Sequence, residues 1–149
     1  AGYARAEDND ASTSMRPRLV DLYATVQRRA ATALRESTGV GPADVDCLQV
    51  YDSFSVHVPL VLEGFGFCEP DEVGALLRSG ATHPGGRLPV NTSGGMLAEA
   101  YLMGWNHQVE AVRQLRHAAG RRQVPGCRHV QYVSCSQGKV NTVLYRRLP

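Results

Sequence analysis

Residues 90–104 read Val90-Asn91-Thr92-Ser93-Gly94-Gly95-Met96-Leu97-Ala98-Glu99-Ala100-Tyr101-Leu102-Met103-Gly104, and they carry much of what decides the fold. Leu88-Pro89-Val90-Asn91 predicts a short strand that ends in the small-residue turn Thr92-Ser93-Gly94-Gly95. A helical region follows, from Met96 past Trp105 to Ala118, broken or bent near Gly104. In α/β sheets, ligands lie outside the carboxyl ends of strands, where helix N–H groups face the pocket. The pair Gly94-Gly95 permits the close backbone approach that an oxyanion or thioester carbonyl requires.

A second strand end has the same form. Cys47-Leu48-Gln49-Val50-Tyr51 is rich in strand formers, and Val50-Tyr51-Asp52-Ser53-Phe54 leads into a helix expected to run to about Glu63. Ser53 is the expected cap of that helix. Taken singly, an Asp-Ser pair before a helix is more often simple capping than chemistry.

The remaining elements fall around these two. Leu19, Leu22, Tyr23, Val26, Ala30, Ala33 and Leu34 recur at helical spacing, predicting an amphipathic helix from Pro17 to about Ser37. Pro17 suits its first turn and Gly39 its end. Before it, the polar stretch from Glu7 to Ser14 predicts a loop after a short strand. Asp71 to Ser79 predicts a short helix, and Gly80 to Arg87 an exposed loop. Val130–Ser134 and Val140–Arg146 alternate and join across Cys135-Ser136-Gln137-Gly138-Lys139 as a terminal hairpin. Helices interleaved with strands and closed by a hairpin predict an α/β layer with a mixed sheet.

Composition narrows the function classes. The 149 residues suit one domain, residues 1–149, with 43% hydrophobic and 20% charged residues, as in an ordinary globular protein. Sixteen Lys+Arg against 14 Asp+Glu give a net charge of +2, too balanced to argue for nucleic acid. No apolar run approaches the ~20 residues of a membrane span. Ala1-Gly2-Tyr3-Ala4-Arg5 has no signal-peptide core, so a cytoplasmic location is expected. Cys47, Cys68, Cys127 and Cys135 form no C-x-x-C pair and share no ligand spacing with histidine, so no metal site is expected.

The order of the two strand-end motifs, followed by a hairpin bearing Cys135, resembles the C-terminal half of thiolase-superfamily enzymes. Thiolases carry Asn-Glu-Ala-Phe where this chain has Tyr51-Asp52-Ser53-Phe54. They carry Gly-His-Pro-x-Gly at the spacing where Gly94-Gly95 is followed here by Ala100-Tyr101-Leu102-Met103-Gly104. The helix from Gln108 to Arg116 and the end Val143-Leu144-Tyr145-Arg146 are also similar. The resemblance implies a mixed sheet with helices packed on it, and an N-terminal half that this chain does not contain.

Tyr51 and Tyr101 thus stand where a thiolase has the Asn and His that stabilise its enolate. A phenol, with a pKa near ~10, can donate a hydrogen bond or exchange a proton when perturbed. The pattern is closest to thiolase-like, lipid-transfer-type aldolases that cleave steroid side chains. That resemblance implies retro-aldol cleavage of a β-hydroxyacyl-CoA, with Tyr51 and Tyr101 sharing the roles of base and proton donor in either order. Asp52, Asn91, Ser93, Gly94 and Gly95 are the expected substrate-binding positions. Cys135 falls near the acid/base cysteine of degradative thiolases, although a buried strand-end cysteine explains it as well. His57 and His107 read as structural or surface residues, and Trp105, Met96 and Met103 as core packing.

The resemblance further implies a coenzyme A thioester as substrate and no separate cofactor. The expected partners are the other thiolase half, a dimer mate and a small OB-fold protein. Two alternatives stand beside the lyase: acyl transfer with Cys135 as acid/base, and a lipid-binding subunit without chemistry.

Overall fold

Cys47 to Val50 alternates sides: Leu48 and Val50 enter one apolar cluster, Cys47 another. All four residues are buried, so this strand is covered on both faces, as a parallel strand must be. A computed structural model describes residues 1–7, 19–136 and 138–148, and shows why. Four strands, β1 (Gly2–Glu7), β2 (Cys47–Val50), β3 (His129–Ser136) and β4 (Lys139–Arg146), form one sheet in the order β1-β4-β3-β2. The β1–β4 and β3–β4 pairs are antiparallel, whereas β2 lies parallel to β3, with Val50 opposite Val133. The expected mixed sheet and terminal hairpin are both present, and the hairpin reaches one residue further at its start and two further at the end of β3 than the pattern predicts.

One face of the sheet is covered by α1 (Leu19–Thr38) and α2 (His57–Gly64), with α3 (Val73–Arg78) beyond them. The described face of α1 buries Val26, Ala30 and Leu34 at four-residue spacing against Leu48, Val50, Val133 and Leu144. The helix ends as predicted: Gly39 takes φ 71° and its N–H returns to Arg35 O at 2.8 Å. Pro17 and the predicted loop through Ser14 lie largely outside the described residues. A Cβ at Gly64 would sit 1.9 Å from Gln27 Oε1, so that glycine does more than end α2: it admits α1.

The opposite face is covered by α5 (Trp105–Leu115), preceded by the single turn α4 (Gly95–Ala98). The predicted helical region is therefore interrupted over residues 99–104, with left-handed backbone at Met103 (φ 53°) and Gly104 (φ 85°). The helix α5 buries a largely polar face. Its buried positions are Asn106, His107, Glu110, Ala111 and Gln114, while Trp105 and Val109 face outward. Trp105 and Met103, expected in the core, are exposed.

Two further expectations change. The predicted strand Leu88–Asn91 contributes one parallel bridge, Leu48 to Val90, to the edge beyond β2. Pro89 has no N–H to give a ladder, and Asn91 turns out of the strand at φ 48°. The Asn91 side chain continues the pairing instead: Oδ1 accepts from Val50 N at 2.7 Å, and Nδ2 donates to Val50 O at 3.0 Å. Ser53 does not cap α2, which starts three residues later than expected, after Val56, with no side-chain cap. Ser53 Oγ lies 3.2 Å from His57 Nδ1 instead.

Candidate active site

Tyr51 continues β2, its N–H donating to Val133 O at 2.8 Å, so a rigid strand end fixes its backbone. Tyr101 sits in the exposed segment between α4 and α5 and is itself 66% exposed. Although 50 residues apart, their hydroxyls meet at 3.4 Å. A settled O–H···O bond is nearer ~2.7–2.8 Å, so the two oxygens are neighbours rather than locked partners. The Tyr101 contact and, after it, burial push the Tyr51 phenol up to about 12. Tyr51 therefore holds its proton at neutral pH.

Gly104 makes this approach sterically possible. A Cβ there would lie 2.2 Å from Tyr132 Oη and 3.1 Å from Tyr51 Cδ2, at a backbone φ of 85°. Only glycine satisfies both conditions.

Behind the tyrosines lies a carboxylate–imidazole pair. Asp52 Oδ1 is 2.9 Å from His107 Nε2, and the same carboxylate accepts the Met96 N–H at 3.1 Å. The His107 ring is wholly buried, edge-on to Tyr51 at 6.3 Å and tilted against Tyr132 at 6.1 Å. Burial lowers its pKa, against the opposing pull of Asp52, so the neutral ring with Nε2–H toward Asp52 is the favoured form. Nδ1 is then an acceptor. Turning the Asn106 amide over from Oδ1, 3.1 Å away, presents a buried Nδ2 that otherwise has no partner.

Three of the five expected substrate-binding positions, Asp52, Asn91 and Gly95, make contacts within the fold. Asn91 spends its amide on Val50 and Asp52 its carboxylate on Met96 and His107. A Cβ at Gly95 would sit 2.1 Å from Asp52 Oδ2, so the close approach that the glycine pair allows is to this carboxylate. Gly94 has φ 94°, and Ser93 Oγ is buried without a partner. Gly95→Ala would combine a left-handed φ of 69° with that clash. We expect it to cost about 1–3 kcal/mol in urea unfolding.

Cys135 is not brought to the tyrosines. It lies in the core on the α1 side of the sheet, 1% exposed, whereas Tyr132 faces α5. Burial pushes its thiol up to about 12, the opposite of what an acid/base cysteine needs. Among the described residues no cluster of His, Cys, Asp or Glu is placed to hold a metal, and no helix is long and apolar enough to cross a membrane.

Sequence reasoning missed the buried network on α5. Glu110 Oε1 accepts from Thr92 Oγ1 at 2.9 Å and from Gln114 Nε2 at 3.1 Å, while Oε2 accepts from Arg122 at 3.0 Å. Burial would raise this carboxyl. The bonds from Arg122, Thr92 and Gln114 outweigh it and hold the group below its ordinary value. The available signal was spacing: 107, 110, 111 and 114 share one helical face.

The sequence matches the family model described as thiolase C-terminal domain-like over residues 6–142. The chain belongs to that family. Within it, the chain is 44% identical over 93 residues to the 17-hydroxy-3-oxo-4-pregnene-20-carboxyl-CoA lyase of Mycobacterium tuberculosis, covering 62% of this chain and 24% of that protein. It is 35% identical over 106 residues to sterol carrier protein 2 of Rattus norvegicus, covering 69% of this chain and 19% of that one. A solved Ltp2-ChsH2(DUF35) aldolase superposes with TM-score 0.82 at 28% identity, covering 98% of this chain and 38% of that one. The chain thus spans about a quarter or less of the length of these curated relatives.

Proposed function

We propose that this thiolase-family chain supplies the acid–base half of a carbon–carbon lyase acting by retro-aldol cleavage on a β-hydroxyacyl-CoA, with a steroid side chain as the favoured acyl group. The meeting of the Tyr51 and Tyr101 hydroxyls at 3.4 Å carries this reading. The similarity to a steroid carboxyl-CoA lyase and to a solved aldolase supports the substrate class.

In this mechanism Tyr101, the exposed member, starts the cycle as the phenolate and removes the proton of the β-hydroxyl. The Cα–Cβ bond then breaks, its electron pair passing to the thioester enolate as the hydroxyl carbon becomes a ketone. Tyr51, which holds its proton at neutral pH, delivers it to the enolate carbon. The contact between the two phenols then passes the proton from Tyr101 back to Tyr51, and the cycle closes without an acyl-enzyme. Acyl transfer has less support, because the thiol it would use is buried on the far side of the sheet.

The partner reading rests on the surface beside Tyr101. Leu97, Leu102, Met103, Trp105 and Val109, all within eight residues of Tyr101 in the chain, are exposed to water, which does not favour them. The other half of a thiolase fold would cover them and supply the coenzyme A site. A second polypeptide of OB-fold type is the further partner, in keeping with an aldolase named for two components.

Two incubations of the complete protein test the proposal. With a β-hydroxyacyl-CoA we expect a ketone and a shortened acyl-CoA. Turnover only of a β-ketoacyl-CoA with free coenzyme A, or binding with no turnover at all, would overturn it.

A further inference from the structure

We propose that Asp52 and His107 are positioning residues for the tyrosine pair, one carboxylate clamping both ends of the Tyr101 segment onto the strand end that carries Tyr51. The rate readout below rests on the retro-aldol reading; the clamp itself rests on geometry.

Tyr51 and Asp52 are adjacent, so whatever holds Asp52 also sets the Tyr51 backbone. On the other side, the Tyr101 segment leaves α4 beside Met96 and enters α5 beside His107. Asp52 accepts a hydrogen bond from each of these points, Met96 N at 3.1 Å and His107 Nε2 at 2.9 Å. Its side chain is only 15% exposed and that of His107 not at all, so water competes weakly for either bond. Gly95 packs its backbone directly on the carboxylate, leaving no room for another residue. The His107 ring also wedges against Tyr51, which fixes the ring that carries the donor hydroxyl.

Between the two clamped points the chain is held mainly where Gly104 packs against the Tyr51 and Tyr132 rings. Leu97, Tyr101, Leu102, Met103 and Trp105 all face outward, and two successive residues adopt left-handed backbone. A hydroxyl contact of 3.4 Å across such a segment depends on its ends being fixed. A displacement of about 1 Å between reacting groups is enough to cost roughly 10²-fold in rate.

The test uses the complete protein carrying Asp52→Asn, His107→Leu or His107→Gln, each assayed for kcat, KM and amide hydrogen exchange. Asn keeps one acceptor oxygen but loses the charge that strengthens both bonds and sets an NH2 group against the Met96 N–H, which also reaches Asp52 Oδ2 at 3.3 Å, and Leu removes the donor. Both variants should lower kcat by about 10- to 100-fold while KM stays within a few-fold. Gln keeps an N–H within reach of Asp52, so His107→Gln should recover most of kcat. Exchange should quicken at residues 96–107 in the Asn and Leu variants and remain unchanged in β1–β4.

If wild-type protein cleaves and the Asn and Leu variants cleave equally well, the clamp is wrong and the lyase reading stands. Equal loss in the Gln and Leu variants, or quickened exchange throughout the sheet, marks a merely structural role and also overturns it. If wild-type protein cleaves no β-hydroxyacyl-CoA, the lyase reading fails. Exchange then decides alone: loosening confined to 96–107 upholds the clamp, and any other pattern removes it.

Discussion

Replacing Tyr101 by Phe is expected to lower carbon–carbon cleavage by about 10²- to 10⁴-fold, the usual range for loss of a positioned acid–base group. The phenyl ring stays, so acyl-CoA binding should change little and the loss should appear in kcat. Tyr51→Phe should act similarly, because its hydroxyl is the pair's firmly held proton. The two hydroxyls act as a unit, so the double variant should be scarcely slower than either single one. Single-turnover kinetics on a β-hydroxyacyl-CoA would check this. Near-wild-type cleavage by Tyr101→Phe would remove the tyrosine pair from the chemistry.

That pair could be singled out in the sequence because its two positions match the Asn and His of the thiolase motifs that the chain resembles. Val50-Tyr51 ends a buried strand, and Gly104, three residues after Tyr101, packs against the Tyr51 and Tyr132 rings. The α1 core face was equally legible, since Val26, Ala30 and Leu34 obey a helical period. What failed had competing physics. Leu88–Asn91 looks like a strand, but Pro89 and a left-handed Asn91 leave a single bridge. Ser53 looks like a cap, yet its hydroxyl lies against His57.

The helix α5 misled for a deeper reason. Trp105, Val109 and Val112 form an apolar stripe at helical spacing, which ordinarily marks the buried face. Here that stripe faces outward and a polar stripe faces in, because Glu110 brings enough partners to be buried as an ion. Periodicity finds the stripe in either case. It does not say which stripe a chain buries when its apolar one is left for another surface.

Glu110→Ala is accordingly expected to be the most destabilising single change in this network. It would leave Thr92 and Gln114 buried with an acceptor missing, and Arg122 without its carboxylate. The Arg122 side chain is 41% exposed and can rehydrate, so its share is small. Loss of a buried, multiply bonded carboxylate then points to a cost of about 3 kcal/mol, or roughly 6–12 °C in the unfolding midpoint for a domain of this size. Glu110→Gln keeps one acceptor oxygen but turns an amide toward Arg122, for a smaller cost of about 1–2 kcal/mol. The pH dependence gives the sharper check. The folded carboxyl sits below its ordinary value, so its contribution is complete above the unfolded pKa, about 4.3, and fades as pH falls through the folded one. Wild-type protein should therefore exceed Glu110→Gln by a constant margin from about pH 5 upward, and the margin should close below about pH 4. A margin that persists undiminished into acid would mean that Glu110 stabilises by shape alone. Thr92 joins this network one residue before the Ser93-Gly94 turn, so the same ion also anchors the strand end from which α4 and the Tyr101 segment depart.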